Sequence, residues 1–567
     1  MLTTLPRDPH VYLHWDWNQF NPLFDDLLKR PLAASSLESW LTDWSDVNRL
    51  ISEIYTRLWI ATSQNTADQE AIKHYNTYLD ETFTPSQAAN QALKQKLLAS
   101  GLQPPEFDIP LRNMRVEADI VRQGNLPLLA EEKKLVNEFD AIIGNETVDW
   151  EGQEVTPTQL QPVFHSTDRS LREKAWRLSM ERRLADRLKL NQLWVTMLDL
   201  RGRIAANAGF GDYRAYRWKA VLRFDYTPEN CVEYHRAIEQ VVVPAASRIY
   251  EKRRKQLGLS SLRPWDLNVD PLGRPALKPF HTITELEDKV STIFHRVDPK
   301  LGGYFDLMRK SDLLDLENRK AKGPGAFCYG FDWVRLPFIF ENSVGMHADV
   351  STLLHEAGHA FHVFEVAHLP YYQQLSVGME FAEVASMAME LLASPYLLAS
   401  EGGFYTQQEA ARAIIEHLEE AVLFWPYMAV VDAFQHWAYT HQDEGTNPEN
   451  CDQTWAALWK RFMPGVDWLG LDDVMVTGWH RKQHIFEEPF YYIEYGLASM
   501  GAFQVWRNAS SDGKGAVAAY RKALSLGGTK PIPALYATAG ARFAMDAETL
   551  HEVISLAESK ITELEQV

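Results

Sequence analysis

Five residues constrain this chain more than any others: His355-Glu356-Ala357-Gly358-His359, set in an apolar run from Val350 to Val363 that reads as a buried helix. On an α-helix, residues four apart are offset by about 40° in azimuth and one turn in height, so His355 and His359 can present two imidazoles to one metal ion. Glu356 is rotated too far to ligate easily but can reach a water held there. Two neutral nitrogens, one carboxylate base and an open coordination position describe a hydrolytic zinc site.

Such a site needs a third protein ligand. Glu365 follows His355 by ten residues, but His362 stands where a chain-turning glycine would be needed, inside continuing helix, so Glu365 is rejected. His362 reads as a structural or cleft-lining residue. The next helical segment, Leu375 to Ser394, is stopped by Pro395 and carries Glu380, Glu383 and Glu390 among apolar and small residues. Their spacings of three and seven put all three on one face. Buried carboxylates are costly unless paired, protonated or metal-bound. The economical assignment makes Glu383 the ligand, with Glu380 and Glu390 accepting the remaining N–H groups of the metal-bound histidines.

The chain has 567 residues, enough for two or more lobes. A net charge of −19 argues against a nucleic-acid partner, which needs a basic face. No apolar run of membrane-spanning length occurs and the N-terminus lacks a signal-peptide layout, so no membrane association is expected. Three widely spaced cysteines, Cys231, Cys328 and Cys451, speak against a disulfide framework and for a reducing cytoplasm. Cys328 reads as a small buried thiol rather than a nucleophile.

Three-and-four apolar spacing predicts helices over 37–62, 67–78, 86–100, 131–143 and 170–206. Residues 148–164 alternate and suggest a short hairpin, and 265–278 form a loop. After the glycine-rich break at 320–340, which ends in the strand-like Leu336–Phe340, helices are expected over 348–366, 376–394, 407–440, 484–507 and 513–526. The fold class is mainly α with one small β element beside the motif helix. A lobe boundary near 180 divides an N-terminal helical lobe (1–180) from a catalytic helical domain (181–567).

HEAGHAFH followed by EFAEVASMAMELL resembles the thimet oligopeptidase/oligoendopeptidase F family of zinc metallopeptidases, in particular its bacterial oligoendopeptidase F and Pz-peptidase branch. Glu383, 28 residues after His355, matches the family's ligand position, and Glu380 and Glu390 match its neighbouring acidic positions. The resemblance extends to Gly323–Phe327, Pro337–Phe340, Ser525–Gly528 and Gly540–Phe543. It implies two helical lobes around a deep channel, one Zn2+ per chain, and hydrolysis of internal bonds in short peptides.

The chemistry then assigns Glu356 as general base and later acid. A second oxyanion donor is wanted. By the resemblance, His484, Tyr492 and Tyr495 supply substrate and oxyanion contacts, and Tyr491 stays eligible because the spacing from His484 is one residue shorter than in the animal enzymes. Phe338, Ile339 and Phe340 are expected to offer a free strand edge to the substrate backbone, with Gly323–Gly330 as the neighbouring cleft wall. Two other readings stand beside this one. A zinc carboxypeptidase or carboxydipeptidase would use Arg335, Arg481 or Lys482 to hold a terminal carboxylate. A helical binding protein would carry the motif without catalysis. Oligomeric state is open.

Overall fold

The computed structural model describes residues 5–567. Helices dominate, and among the described residues the strands form only two small sheets. The hairpin expected within 148–164 is β1 (Val148–Trp150) against β2 (Gln153–Val155), turned by Gly152 at φ 83°. The rest of that stretch is short helical turns. None of the helices is long and apolar enough to cross a membrane among the described residues.

Three apolar cores organise the chain. One is built from residues between Leu5 and Met114 together with Tyr371, around α1 (Leu37–Gln64) and its neighbouring, mutually tilted Trp40 and Trp44. A second, small one joins Val148, Leu160, Phe164 and Ala175. In the third and largest, only Ile60, Leu128 and Phe139 of the fully buried members come from before residue 181.

The second sheet holds β3 (Leu314–Glu317), β4 (Phe327–Phe331) and β5 (Leu336–Ser343), in the order β3-β5-β4. The tight turn after β4 makes an antiparallel pair in which Phe327 faces Phe340 and Tyr329 faces Phe338. β3 pairs with the other side of β5 in parallel. This corrects the expectation of a free edge at Phe338, Ile339 and Phe340. That strand is central, its backbone is engaged on both sides, and these three residues are buried in the core. The outer edges are those of β3 and β4.

Directly after β5, the motif helix α2 (His347–Val366) begins. Asp349 in its first turn accepts from the backbone N–H groups of Val344, Gly345 and Met346, each at 2.8 Å, which satisfies donors that a helix start leaves orphaned. α3 (Met379–Ala393) packs across it and ends where Pro395 follows. α4 (Gln407–Thr440) and α5 (Tyr492–Ser511) close the far side, and α6 (Gly513–Leu524) braces α2 and α5.

Two expected helices are broken. The span 170–206 divides at Asp186, which ends Arg169–Ala185 and starts Arg187–Ala208. The span 484–507 is a short turn at Gln483–Phe486 followed by α5, because Pro489 cannot continue a helix and Phe490 adopts a left-handed φ of 66°. Gln435 holds that kink by accepting from the Phe490 N–H at 2.8 Å.

Candidate metal centre and cleft

α2 and α3 cross at a point of close backbone approach. Gly358 has no side chain, and α3 passes over it at Ala385 and Ser386. This contact lowers Glu383 onto the two imidazoles. Its Oε2 lies 3.4 Å from His355 Nε2 and 3.6 Å from His359 Nε2. One donor atom from each of the three lies within 4.8 Å of the others. Donors held about 2.0–2.1 Å from a tetrahedral zinc stand about 3.3–3.4 Å apart, so this set fits the ion. The ring planes are nearly perpendicular, at 80°, as two lone pairs converging from one helix face require.

The electrostatics of the centre agree. Burial disfavours a proton on His355, but hydrogen bonds to Glu383 and Glu390 outweigh it and raise its pKa well above the ordinary range. Burial lowers His359 to about 4, leaving a neutral imidazole. Burial works against a charged Glu383, yet His355 and His359 pull its pKa below the usual value. Glu356, beside His355, is raised to about 7, first by burial and then by Glu383 and Glu390.

Glu390 meets its expectation geometrically: its Oε1 lies 2.8 Å from His355 Nδ1, fixing the ring with Nε2 toward Glu383. Its second oxygen faces His417 Nδ1 of α4 at 3.6 Å, a residue that no local pattern marks. Glu380 is a correction. Its carboxylate pairs with no histidine: it stands in the first turn of α3, three residues before Glu383, where Tyr226 and Arg223 take it up. It accepts from Tyr226 Oη at 3.0 Å and faces Arg223 Nε at 3.8 Å. Arg223, almost wholly buried, also pairs with Glu494 at 2.5 Å and donates to the Phe490 carbonyl at 2.8 Å. Both acids therefore serve one guanidinium from 150 or more residues away in sequence.

The kink at Phe490 brings His484 back over α5. Its ring lies 5.6 Å from Tyr491, 5.0 Å from Tyr492 and 6.0 Å from Tyr495. Burial, aided by Lys482, lowers His484 to about 4, and its buried Nδ1 has no partner. The tyrosines divide. Burial raises the pKa of Tyr491 and Tyr495, and the nearby charge of Glu383 raises both further. Tyr492 turns the other way, against Phe424 and Tyr427 and under Lys482, whose Nζ lies 3.9 Å from its ring centre. This corrects the pairing of Tyr492 with Tyr495: one residue of helix rotation separates the cleft face from the core.

Cys328 on β4 lies close enough to Glu356 to feel its charge, but burial first, and then Glu356, raises its pKa far above the thiol range, so it stays a protonated thiol. His362 is 7% exposed and, pushed by burial to about 4, is neutral. Glu365 is taken up by Arg521 at 2.9 Å, away from the metal donors.

The model of Peptidase family M3 matches residues 163–553. The chain is 24% identical over 335 residues to the oligoendopeptidase F homolog of Borreliella burgdorferi, covering 57% of this chain and 54% of that protein. It is 26% identical over 336 residues to oligopeptidase PepF of Bacillus subtilis, covering 57% and 47%. It thus spans about half the length of the curated relatives it matches. Among solved structures, Pz peptidase A with an inhibitor superposes at a TM-score of 0.86 and 25% identity, over 100% of this chain and 99% of that one. Oligoendopeptidase-F from Enterococcus faecium shares the fold at a TM-score of 0.63 and 15% identity, over 97% of both chains.

Proposed function

Since the chain belongs to Peptidase family M3, we propose that it is a zinc-dependent oligoendopeptidase that cuts internal bonds of short peptides. The observation that carries this reading is the convergence of His355, His359 and Glu383 donor atoms within 4.8 Å of one another, Glu383 Oε2 lying 3.4 and 3.6 Å from the two imidazoles, with Glu356 adjacent. In it, His355, His359 and Glu383 hold one zinc ion. When bound, zinc supplies the Lewis acid that polarises the scissile carbonyl and acidifies water.

The chain's own residues do the rest. Glu356, with a pKa near neutrality, takes a proton from the attacking water and returns it to the departing amine. Tyr495 or Tyr491 donates its phenolic hydrogen to the oxygen on which charge develops. His484, whose ring lies 5.6 Å from Tyr491 and 6.0 Å from Tyr495, contacts substrate beside them. Glu390 orients His355. The outer edge of β4 binds the extended substrate through backbone hydrogen bonds, which is tolerant of sequence.

The reading includes two lobes, 1–180 and 181–567, supported by the near-separation of the apolar cores, with a channel between them that would admit oligopeptides and exclude folded proteins. A cytoplasmic setting is supported by three free cysteines. The test is purification with one zinc per chain, chelator-sensitive and zinc-restored cleavage of an internally quenched peptide, and mapping of the cut. Cuts restricted to the C-terminal dipeptide and lost on C-terminal amidation would replace this reading with a carboxydipeptidase. No cleavage with zinc bound would sink it.

A further inference from the structure

A cavity of about 370 Å³ lies apart from the metal centre: its lining includes none of the metal donors, no residue of β4 and none of Tyr491, Tyr492 and Tyr495. It is within the size range of ligand-binding cavities. Trp176, Met180 and Arg183 line it from the helix Arg169–Ala185, and Trp265, Trp459 and Trp468 from later segments. Tyr427 of α4 also lines it, and the rings of Tyr427 and then Tyr492 stand between it and His484. Phe164, Leu184, Leu190 and Met463 add apolar surface.

Its polar groups are short of partners. The indole Nε1 atoms of Trp265, Trp459 and Trp468 are buried without an acceptor. Glu146, 3% exposed, has an Oε1 with no donor, and its nearest cation, Arg183 Nε, lies 3.6 Å away, beyond hydrogen-bond reach. Unpaired polar groups are costly to bury, and four gathered in one cavity point to something that enters and pairs them. Among the charged groups of the lining, Arg183 and Arg481 stand against the one carboxylate of Glu146, and His480, pushed by burial to about 3, is neutral. Neighbouring cations are already taken: Arg177 by Glu173, Arg182 by Asp186, Arg187 by Asp452 and Asp473, and Arg263 by Asp467. Arg481 lies over the Tyr427 ring at 5.8 Å and makes no ion pair among the described residues.

We propose that this cavity binds a small zwitterion with an apolar body, of the size of a free dipeptide. Its ammonium group pairs with Glu146, its carboxylate takes the indole N–H groups and Arg481, and its side chains lie on the aromatic lining. A plain anion would leave Glu146 unpaired, and a plain cation would meet two guanidiniums.

Calorimetric titration with leucyl-phenylalanine, on the zinc-loaded protein and again after chelation, tests this. The expected result is a binding event whose Kd is unchanged by removal of zinc, since no metal donor lines the cavity. N-acetylating or C-terminally amidating the dipeptide should each weaken binding by about tenfold, as one charged pair is lost. Glu146→Gln should weaken the free dipeptide by about tenfold and leave the N-acetylated one unchanged, which isolates the ammonium contact. Trp468→Phe keeps a ring, removes one N–H and should cost about fivefold. Met180→Trp, which fills the cavity, should abolish binding with zinc content unchanged. Absence of binding, binding lost on chelation, or binding that neither Glu146→Gln nor Trp468→Phe weakens overturns the site. If Met180→Trp does not fold, the other two variants decide. None of these measurements needs turnover, so a protein that binds the dipeptide but cuts no peptide sinks the peptidase reading alone.

Discussion

A β-carbon placed on Gly358 would stand 2.4 Å from the carbonyl oxygen of Ala385. That oxygen also accepts from Tyr520 Oη of α6 at 2.6 Å, so it is pinned from behind and cannot yield. The glycine between the two motif histidines thus sets the distance between the helix that carries the imidazoles and the helix that carries Glu383.

Replacing Gly358 with alanine places two effects in opposition. Helix propensity alone favours alanine by about 1 kcal/mol. Overpacking against fixed backbone costs about 1–3 kcal/mol, and here it wins. Gly358→Ala should lower the melting temperature and weaken zinc binding by roughly tenfold as Glu383 is lifted away. Chelator competition and thermal unfolding check this; a stabilised variant with native zinc affinity would show that the approach is not limiting.

Glu356→Gln removes a charge without touching a donor. Zinc stoichiometry should be unchanged while kcat falls by about 10²–10⁴, the usual range for a lost general base. Metal analysis beside turnover of a quenched peptide reads both. A variant that is inactive and also metal-free would merge the two roles assigned to the motif.

The three neighbouring tyrosines should separate. Tyr491→Phe or Tyr495→Phe should reduce kcat by about 10²-fold, the scale of a lost oxyanion donor, with zinc retained. Tyr492→Phe should have a small effect on kcat, because its ring packs on Phe424 and Tyr427. A larger loss at 492 than at both others would reverse the assignment of faces.

Glu390 and Glu380 should behave differently although both look alike in sequence. Glu390→Gln removes the charged partner of His355 Nδ1 and should weaken zinc by about 10–100-fold. Glu380→Gln removes a charge from the Arg223 cluster instead, so it should lower thermal stability with little change in zinc affinity. Equal zinc affinities in the two variants would refute the distinction.

Glu341 gives a pH signature of stability. Burial raises its carboxyl pKa from 4.5 to about 8, and one of its oxygens has no partner. A carboxyl with a raised folded-state pKa stabilises fully below the unfolded value, and this stability drains as pH rises from about 4.5 to about 8. Glu341→Gln keeps the neutral shape, so the gap in melting temperature between variant and wild type should widen across that window at saturating zinc. A constant gap from pH 5 to 8 would mean that Glu341 is solvated.

Much of the centre could be read locally. Histidines four apart and a run of carboxylates on one apolar helix face are properties of helical periodicity alone, and His355, His359, Glu383 and Glu390 come together as that periodicity demands. The partners of Glu380 could not be read, because Tyr226 and Arg223 lie more than 150 residues before it. His417, reaching Glu390 from α4, gave no local signal either.

By itself the sequence determined the helices, the metal-donor types and their spacing, since hydrogen bonds four residues apart and side-chain chemistry are local. Tertiary structure decided which strands lie outermost and which tyrosine packs away from the donors. The parallel return of β3 to the far side of β5 buried Phe338–Phe340 and left β3 and β4 as the two outer strands. The left-handed turn at Phe490 starts α5 so that Tyr492 packs on Phe424 and Tyr427, while Tyr491 and Tyr495 lie within reach of the charge of Glu383. Both outcomes depend on distant segments competing for the same backbone groups and apolar surface, and no local periodicity encodes the winner.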